Sequence, residues 1–404
     1  MRFPEFKDEW KSSILDTIVE ALSTNSLSWD ALNKNKGKVK NIHYGLIHKG
    51  FETTIISSDN THIPYINESI DTTKMNFIKS GDLVIVDTSE DKKDVAKAIE
   101  LKLENDDRIV SGLHTFLLRD KTDEFAFGFK SYHLKCKSSQ IQLNRISTGT
   151  KVYSINKSNL KEITINYPTK DEQFKIVDLL NKIENKIQLQ MKIIEEYKMF
   201  KDLYISNILS SNEVYELSIH EAMKRNEFEI VKSSQLKMFD GSRKYLSTSS
   251  IDKNGITSVE CMVTYLNRPS RASMLPIKNS VWFAKMSNSN KVFVSCDNDE
   301  NEFILSTGFY GLLPMSNVSS VWLSEIFKSD YFNNQKNRFS EGSSMSAIKD
   351  SQLYDINIKL FIENNMQQKH LRYINKLNSK IKIEGLLLEK LEVLKKDLLQ
   401  KMLI

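Results

Sequence analysis

One stretch of this chain occurs twice. Gly149-Thr150-Lys151-Val152-Tyr153-Ser154-Ile155, followed by Leu160 and Ile163, lines up 193 positions on with Gly342-Ser343-Ser344-Met345-Ser346-Ala347-Ile348, Leu353 and Ile356. Upstream, Val110-Ser111-Gly112 before Phe116-Leu117-Leu118 resembles Leu305-Ser306-Thr307-Gly308 before Leu312-Leu313, with one residue inserted. A repeat of such long period means two similar halves, each closing a core of its own. At 404 residues, 40% apolar and 27% charged, the chain has the material for that.

Each half opens with Gly- and Asn-punctuated sequence holding short β-like runs such as Leu83-Val84-Ile85-Val86 and Lys291-Val292-Phe293-Val294. Each closes with some forty proline-free residues, suited to one long helix. The predicted fold class is α+β: two similar α/β domains at 1–168 and 212–361, separated by helices at 169–211 and 362–404. In the first helix Ile176, Leu180, Ile183, Ile187, Ile194, Tyr197, Tyr204 and Ile208 keep a 4-3 spacing that also passes through Gln190 and Lys201. In the second, His370, Ile374, Leu377, Ile381, Leu388, Leu391, Leu398 and Met402 do the same, interrupted at Glu384 and Lys395. Such seams predict a coiled coil.

The polar interruptions bear on its direction. Parallel pairing at the repeat offset sets Lys201 against Lys395, a like-charge layer in a partly dry seam. Antiparallel pairing with position numbers summing to 585 makes apolar layers of Ile183 with Met402 and Ile194 with Leu391, and puts Lys201 opposite Glu384 and Gln190 opposite Lys395. An antiparallel coiled coil in that register, giving a pseudo-two-fold internal repeat, is therefore expected. A second stripe, Leu179, Ile193 and Phe200 with Tyr373, Leu387 and Leu394, exceeds what a two-helix seam needs. It suits a partner subunit or a further segment of this chain.

Catalytic signatures are missing: no paired-proline motif of an adenine methyltransferase, no Walker A sequence, no GxGxxG. No metal site is expected, since His43 and His48 lack a carboxylate or cysteine to complete a ligand set. Cys136, Cys261 and Cys296 form no CxxC, the N-terminus carries charge where a signal peptide needs an apolar core, and no apolar run reaches ~18 residues. A reducing cytoplasm and no membrane partner are expected. The net charge of +5 favours a polyanionic partner only mildly.

The arrangement resembles the specificity subunits of Type I restriction-modification systems. Arg2-Phe3-Pro4-Glu5-Phe6 with Trp10 is similar to that family's N-terminal phrase, Tyr167-Pro168 with Glu172-Gln173 and Ile176 to its lead into the first long helix, and Gly149 and Gly342 to the turns closing its recognition domains. The second half departs from the pattern, with Phe361 for the proline and Met366-Gln367 for Glu-Gln, which leaves the geometry of its helix start open. The resemblance implies a non-catalytic subunit that binds double-stranded DNA, each globular domain reading half of a split target. It implies helices that set the spacer and dock two methyltransferase subunits. It further implies no cofactor on this chain, S-adenosylmethionine in the methyltransferases, and ATP and Mg²⁺ in two restriction subunits where these are present. The rival reading is a two-domain coiled-coil scaffold for protein partners.

Cations reach phosphates, while arginine, asparagine and glutamine read base edges. In the first domain Lys34, Lys36, Lys38 and Lys40 alternate around Gly37, an expected extended hairpin with its charge on one face, followed by His43 and Lys49; a solvated loop is the alternative. In the second, Arg268 and Arg271 bracket Pro269-Ser270, Arg243 and Lys244 follow an Asp240-Gly241 turn, and Lys285 and Lys291 flank Ser287-Asn288-Ser289-Asn290. Arg145, Thr148 and Lys151 have as repeat-related counterparts Arg338, Ser343 and Ser344.

Overall fold

The computed structural model describes residues 2–104, 106–252, 255–315, 317–339 and 347–403. The chain divides into two compact units, Met1–Ile194 with Glu384–Ile404, and Glu195–Ile383.

In the first unit a five-stranded sheet runs Val19–Leu22, Thr115–Asp120, Leu83–Val86, Ala98–Lys102, Ile55–Ser57. Side chains alternate across a strand, so the unbroken apolar run Leu83-Val84-Ile85-Val86 feeds two cores. Leu83 and Ile85 enter one that also takes in the long helices, and Val84 and Val86 enter the other. The second unit repeats the plan in the order Phe228–Val231, Phe309–Pro314, Val281–Ala284, Val292–Val294. There Val281 and Phe283 face one core and Trp282 and Ala284 the other. Gly311 is required opposite Trp282, since a Cβ on it would lie 2.6 Å from the indole. Each unit also has a second, four-stranded sheet built on a parallel pair, Lys40–Ile42 with Ile109–Ser111 and Arg243–Leu246 with Phe303–Ser306.

The duplication extends to individual hydrogen bonds. Gln142 clamps Thr164, accepting from its N–H at 2.9 Å and donating to its carbonyl at 3.0 Å. Gln335 does the same to Asn357, both bonds at 3.0 Å. At the head of the first long helix Gln173 accepts from Ala126 N–H at 2.9 Å and donates to the Glu124 and Pro168 carbonyls. Gln367 accepts from Ser319 N–H at 3.1 Å and donates to the Asn317 carbonyl at 2.9 Å. The second helix therefore begins on the same clamp as the first, although Phe361 and Met366 replace Pro168 and Glu172. In the first unit the buried Glu172 is held in addition by Arg2, whose Nε and Nη2 donate to the two carboxylate oxygens at 2.8 and 2.7 Å.

The long helices span Lys170–Leu209 and Asn364–Met402. Asp171 and Glu172 in the first turn of the former suit its positive end. In the first unit Ile176, Leu180, Ile183 and Ile187 pack with Leu391, Leu398 and Met402 in the core that also contains Leu83 and Phe129. In the second, Ile205 and Ile208 pack with Leu371 and Ile374. Within each unit the two segments run antiparallel: Gln190 meets Glu384 and Glu184 meets Lys395 in the first, and Lys201 meets Asn378 and Tyr204 meets Tyr373 in the second.

The register differs from the sequence expectation by about one heptad. Gln190 donates to the Glu384 carbonyl at 3.0 Å and carboxylate at 2.6 Å, not to Lys395. Lys395 pairs at 2.7 Å with Glu184, a carboxylate beside the seam rather than in it. Lys201 reaches Asn378 and Glu325, both at 3.1 Å. The polar seam residues are thus satisfied in part from outside the two seams. His370 is likewise a bonded core residue, with Nδ1 2.7 Å from the Tyr204 hydroxyl and Nε2 2.6 Å from Glu213.

Candidate nucleic-acid interface

The lysine-rich segment of the first unit is a loop, not a hairpin. Leu32–Asn33 and Lys40–Ile42 both pair with Tyr65–Ile66, which lies between them. Asn33 fixes the turn by accepting from the N–H groups of Asn35 and Lys36, each at 3.1 Å. Gly37 passes so close to Tyr65 that a Cβ would sit 2.6 Å from the tyrosine Cβ. Lys34, Lys36 and Lys38 project into solvent. Lys40 does not join them: its ammonium donates to the Ser58 carbonyl at 2.7 Å and to Asp107 at 3.3 Å, securing the strand.

His43 is also withdrawn from any phosphate. It is 2% exposed, its Nδ1 accepts from Gly45 N–H, and its ring lies between Trp29 and Tyr44 with centroids at 4.4 and 4.6 Å. Burial, with His114 nearby, lowers its pKa, so the ring is neutral. Tyr44, His48, Lys49, His114 and Val152 border a cavity of about 560 Å³ whose remaining wall includes Glu90, Asp91 and Asp94. His48 Nε2 donates to the Thr88 carbonyl at 2.9 Å. The sequence reading named His43 and Lys49 as DNA contacts; of these Lys49 lines the cavity and His43 backs Tyr44, while Tyr44, His48 and His114 on the lining were not singled out as contacts.

Gly149 sits in the turn joining Thr148 to Ser154, whose main chains exchange bonds at 2.9 and 2.8 Å. Its φ is +120°, and a Cβ would stand 1.9 Å from the Val152 carbonyl oxygen, so only glycine fits. Arg145, Thr148 and Lys151 are exposed around it. Of the counterparts, Arg338 is exposed, whereas Ser343 and Ser344, with Gly342, lie outside the described residues.

In the second unit most of the expected contacts are spent internally. Arg268 donates to the carbonyls of Tyr265 and Ala272 and lies over the Tyr265 ring at 4.3 Å, bracing the loop. Arg271 projects from that loop into solvent. Arg243 lies over Phe239 at 4.1 Å, and its pKa is lowered by burial. Lys244 pairs with Glu302 at 2.5 Å. Lys285 stands 4.0 Å above the Tyr310 ring and 3.9 Å from Asp350, and burial lowers its pKa. Lys291 donates to the Thr248 carbonyl at 2.6 Å, as Lys97 donates to the His48 carbonyl at 2.9 Å in the first unit, so it belongs to the duplicated frame. The Ser287–Asn290 turn is bound to the Asp330–Phe339 helix through Lys336 and Asn337.

On the long helices Phe200, Tyr373, Leu387 and Leu394 are 49, 43, 39 and 44% exposed, while Leu179 and Ile193 are half-buried. Exposed apolar side chains beyond that stripe include Leu189 and Val393 in the first unit and Met199 and Leu203 in the second. Among the described residues no three His, Cys, Asp or Glu side chains gather to hold a metal ion, and no helix is long and apolar enough to cross a membrane.

Two globular parts on one frame with different loops, each fused to a segment of antiparallel helix pair, define an internally duplicated two-domain protein. Residues 7–199 match the Type I restriction modification DNA specificity domain. The chain's fold is that of the S subunit of the Type I restriction-modification system from M. genitalium, with 16% identity, a TM-score of 0.55, and coverage of 100% of this chain and 99% of that one. A chain from a structure on complex assembly and conformational transition of the type I R-M system agrees at 11% identity and a TM-score of 0.57, covering 98% and 97%. No curated protein sequence matches the chain.

Proposed function

We propose that residues 1–168 and 212–361 each read one half of a split double-stranded DNA target for a Type I restriction-modification complex. One observation carries this reading: the frame is duplicated bond for bond while the loops on it differ. Gln142 with Gln335, Gln173 with Gln367 and Lys97 with Lys291 perform the same tasks. Apart from the repeat-related Arg145 and Arg338, the exposed cations do not correspond in this way, Lys34, Lys36 and Lys38 standing on one loop and Arg271 on another. One frame carrying two faces suits two different sequences read by one mechanism. Lys34, Lys36, Lys38, Lys49, Arg145, Lys151, Arg271 and Arg338 are the exposed cations among the sequence candidates and supply the phosphate contacts.

The helices at 169–211 and 362–404 set the spacer between the half-sites and dock two methyltransferase subunits through the stripe containing Phe200 and Leu394. S-adenosylmethionine, and ATP with Mg²⁺ where restriction subunits join, belong to those partners, and the assembly works in the cytoplasm. The test is exchange of residues 1 to about 165 for the corresponding domain of a relative, with the methyltransferase co-expressed and modified adenines mapped across the genome. One half of the methylated motif changes and the other is retained; a change in both halves refutes independent reading.

A further inference from the structure

The cavity beside Tyr44 lies where two groups of residues meet that the sequence separates by a hundred positions, the His43–Lys49 segment and the Gly149 turn through Val152. Its walls state what it can hold. Tyr44 offers a flat face, itself backed by His43 at 4.6 Å and by His114 edge-on at 5.3 Å. Glu90, Asp91 and Asp94 make the opposite chemistry from a phosphate site, and Lys49 is the one lysine on the lining among the described residues. Carboxylates call for a ligand that donates hydrogen bonds. Its volume of about 560 Å³ lies in the range of ligand sites and accommodates a single aromatic heterocycle with room at the rim.

We propose that this cavity receives one DNA base bearing an exocyclic amino group, turned out of the duplex within the half-site read by residues 1–168. The proposal rests on the DNA-reading function above and names what that face takes in. Tyr44 stacks on the base, the carboxylates accept from its amino group, and Lys49 and Lys151 at the margin hold the flanking phosphates, which the acidic wall keeps outside. The second unit is not built for this. Its equivalent of His48, identified by the shared lysine bond, is Thr248, and Gly308 stands where His114 does, its carbonyl accepting from Lys285 N–H as that of His114 accepts from Asp87 N–H. Base extrusion is thus confined to one half-site.

The experiment uses the full chain assembled with its co-expressed methyltransferase subunit and duplexes of the mapped motif, each carrying a single mismatch at one successive position. Unpairing costs least at a mismatch, so the position whose base is extruded binds more tightly when mismatched. The expected result is one adenine, cytosine or guanine position in the first half-site where the mismatch tightens binding several-fold for wild type and for Tyr44→Phe but not for Tyr44→Ala. Tyr44→Ala weakens binding of the matched duplex roughly tenfold, the scale of one lost stacking contact. Tyr44→Phe keeps the ring and controls for folding. Tightening at no position, or tightening that persists undiminished in Tyr44→Ala, overturns the cavity assignment while sequence-selective binding stands. Absence of sequence-selective binding by the wild-type complex overturns the DNA-reading function itself.

Discussion

Replacing Glu184 tests how the first long helix is joined to its globular part. This carboxylate, 2% exposed, accepts from Thr54 N–H at 2.9 Å and Thr54 Oγ1 at 2.7 Å, and pairs with Lys395 at 2.7 Å and Lys135 at 4.0 Å. Glu184→Ala removes two charge-assisted hydrogen bonds and leaves two lysines without a counter-charge, a loss of about 3–5 kcal/mol for a fully enclosed pair. Lys395 and Lys135 keep 22 and 27% of their side chains exposed and recover some hydration, so about 3 kcal/mol is expected. A double-mutant cycle of Glu184→Gln with Lys395→Met should return about 1–2 kcal/mol of coupling. Burial works against the ionised carboxylate, but Lys135, Lys395 and the Thr54 bond outweigh it and hold its pKa below the ordinary value. Stability from this group is therefore complete above ~4.3, the unfolded value, and is lost as pH falls through the lower folded value. The assay is amide hydrogen exchange of segments 176–194 and 384–403, read as local opening free energy. Coupling under about 0.5 kcal/mol, or a Glu184→Gln effect unchanged from pH 7 to pH 3, refutes the reasoning.

Gln173→Ala and Gln367→Ala should each lower the stability of their own unit by about 2–4 kcal/mol in chemical denaturation, because each strands a buried main-chain N–H and C=O. Gly149→Ala should cost about 3 kcal/mol or more in thermal unfolding, through its positive φ and the clash with Val152. Phe200→Asp with Leu394→Asp should abolish co-purification with the methyltransferase subunit while leaving circular dichroism of the isolated chain unchanged, since both side chains face solvent in it.

Fold class was legible because it rests on patterns within a segment, apolar runs and 4-3 spacing, and helix direction because parallel pairing of the two seams would create the like-charge layer of Lys201 with Lys395. The register was not legible. The argument required each polar seam residue to find its partner in the opposite seam, whereas Lys395 takes Glu184, one position after Ile183, and Lys201 takes Glu325 from the globular part. Side chains entering from a third element are invisible to pairwise matching. The same limit applied to the cations. Lys40 and Lys38 are two apart in one basic run, yet Asp107 claims the first and the second is free in solvent. The cavity wall was hidden for a related reason, since Tyr44 and Glu90 meet only after the sheet has folded.

The glutamine clamps address the main chain of the globular part: Gln142 and Gln335 grip one residue's N–H and C=O, and Gln173 and Gln367 hold the Ala126 and Ser319 amides. A clamp on peptide groups is indifferent to the side chain of the residue it grips. Mutation can therefore rewrite the outward loops of either unit without loosening its fastening to the helices, so that changing what is read leaves how it is held untouched. New specificity in such a chain needs no compensating change at these glutamines.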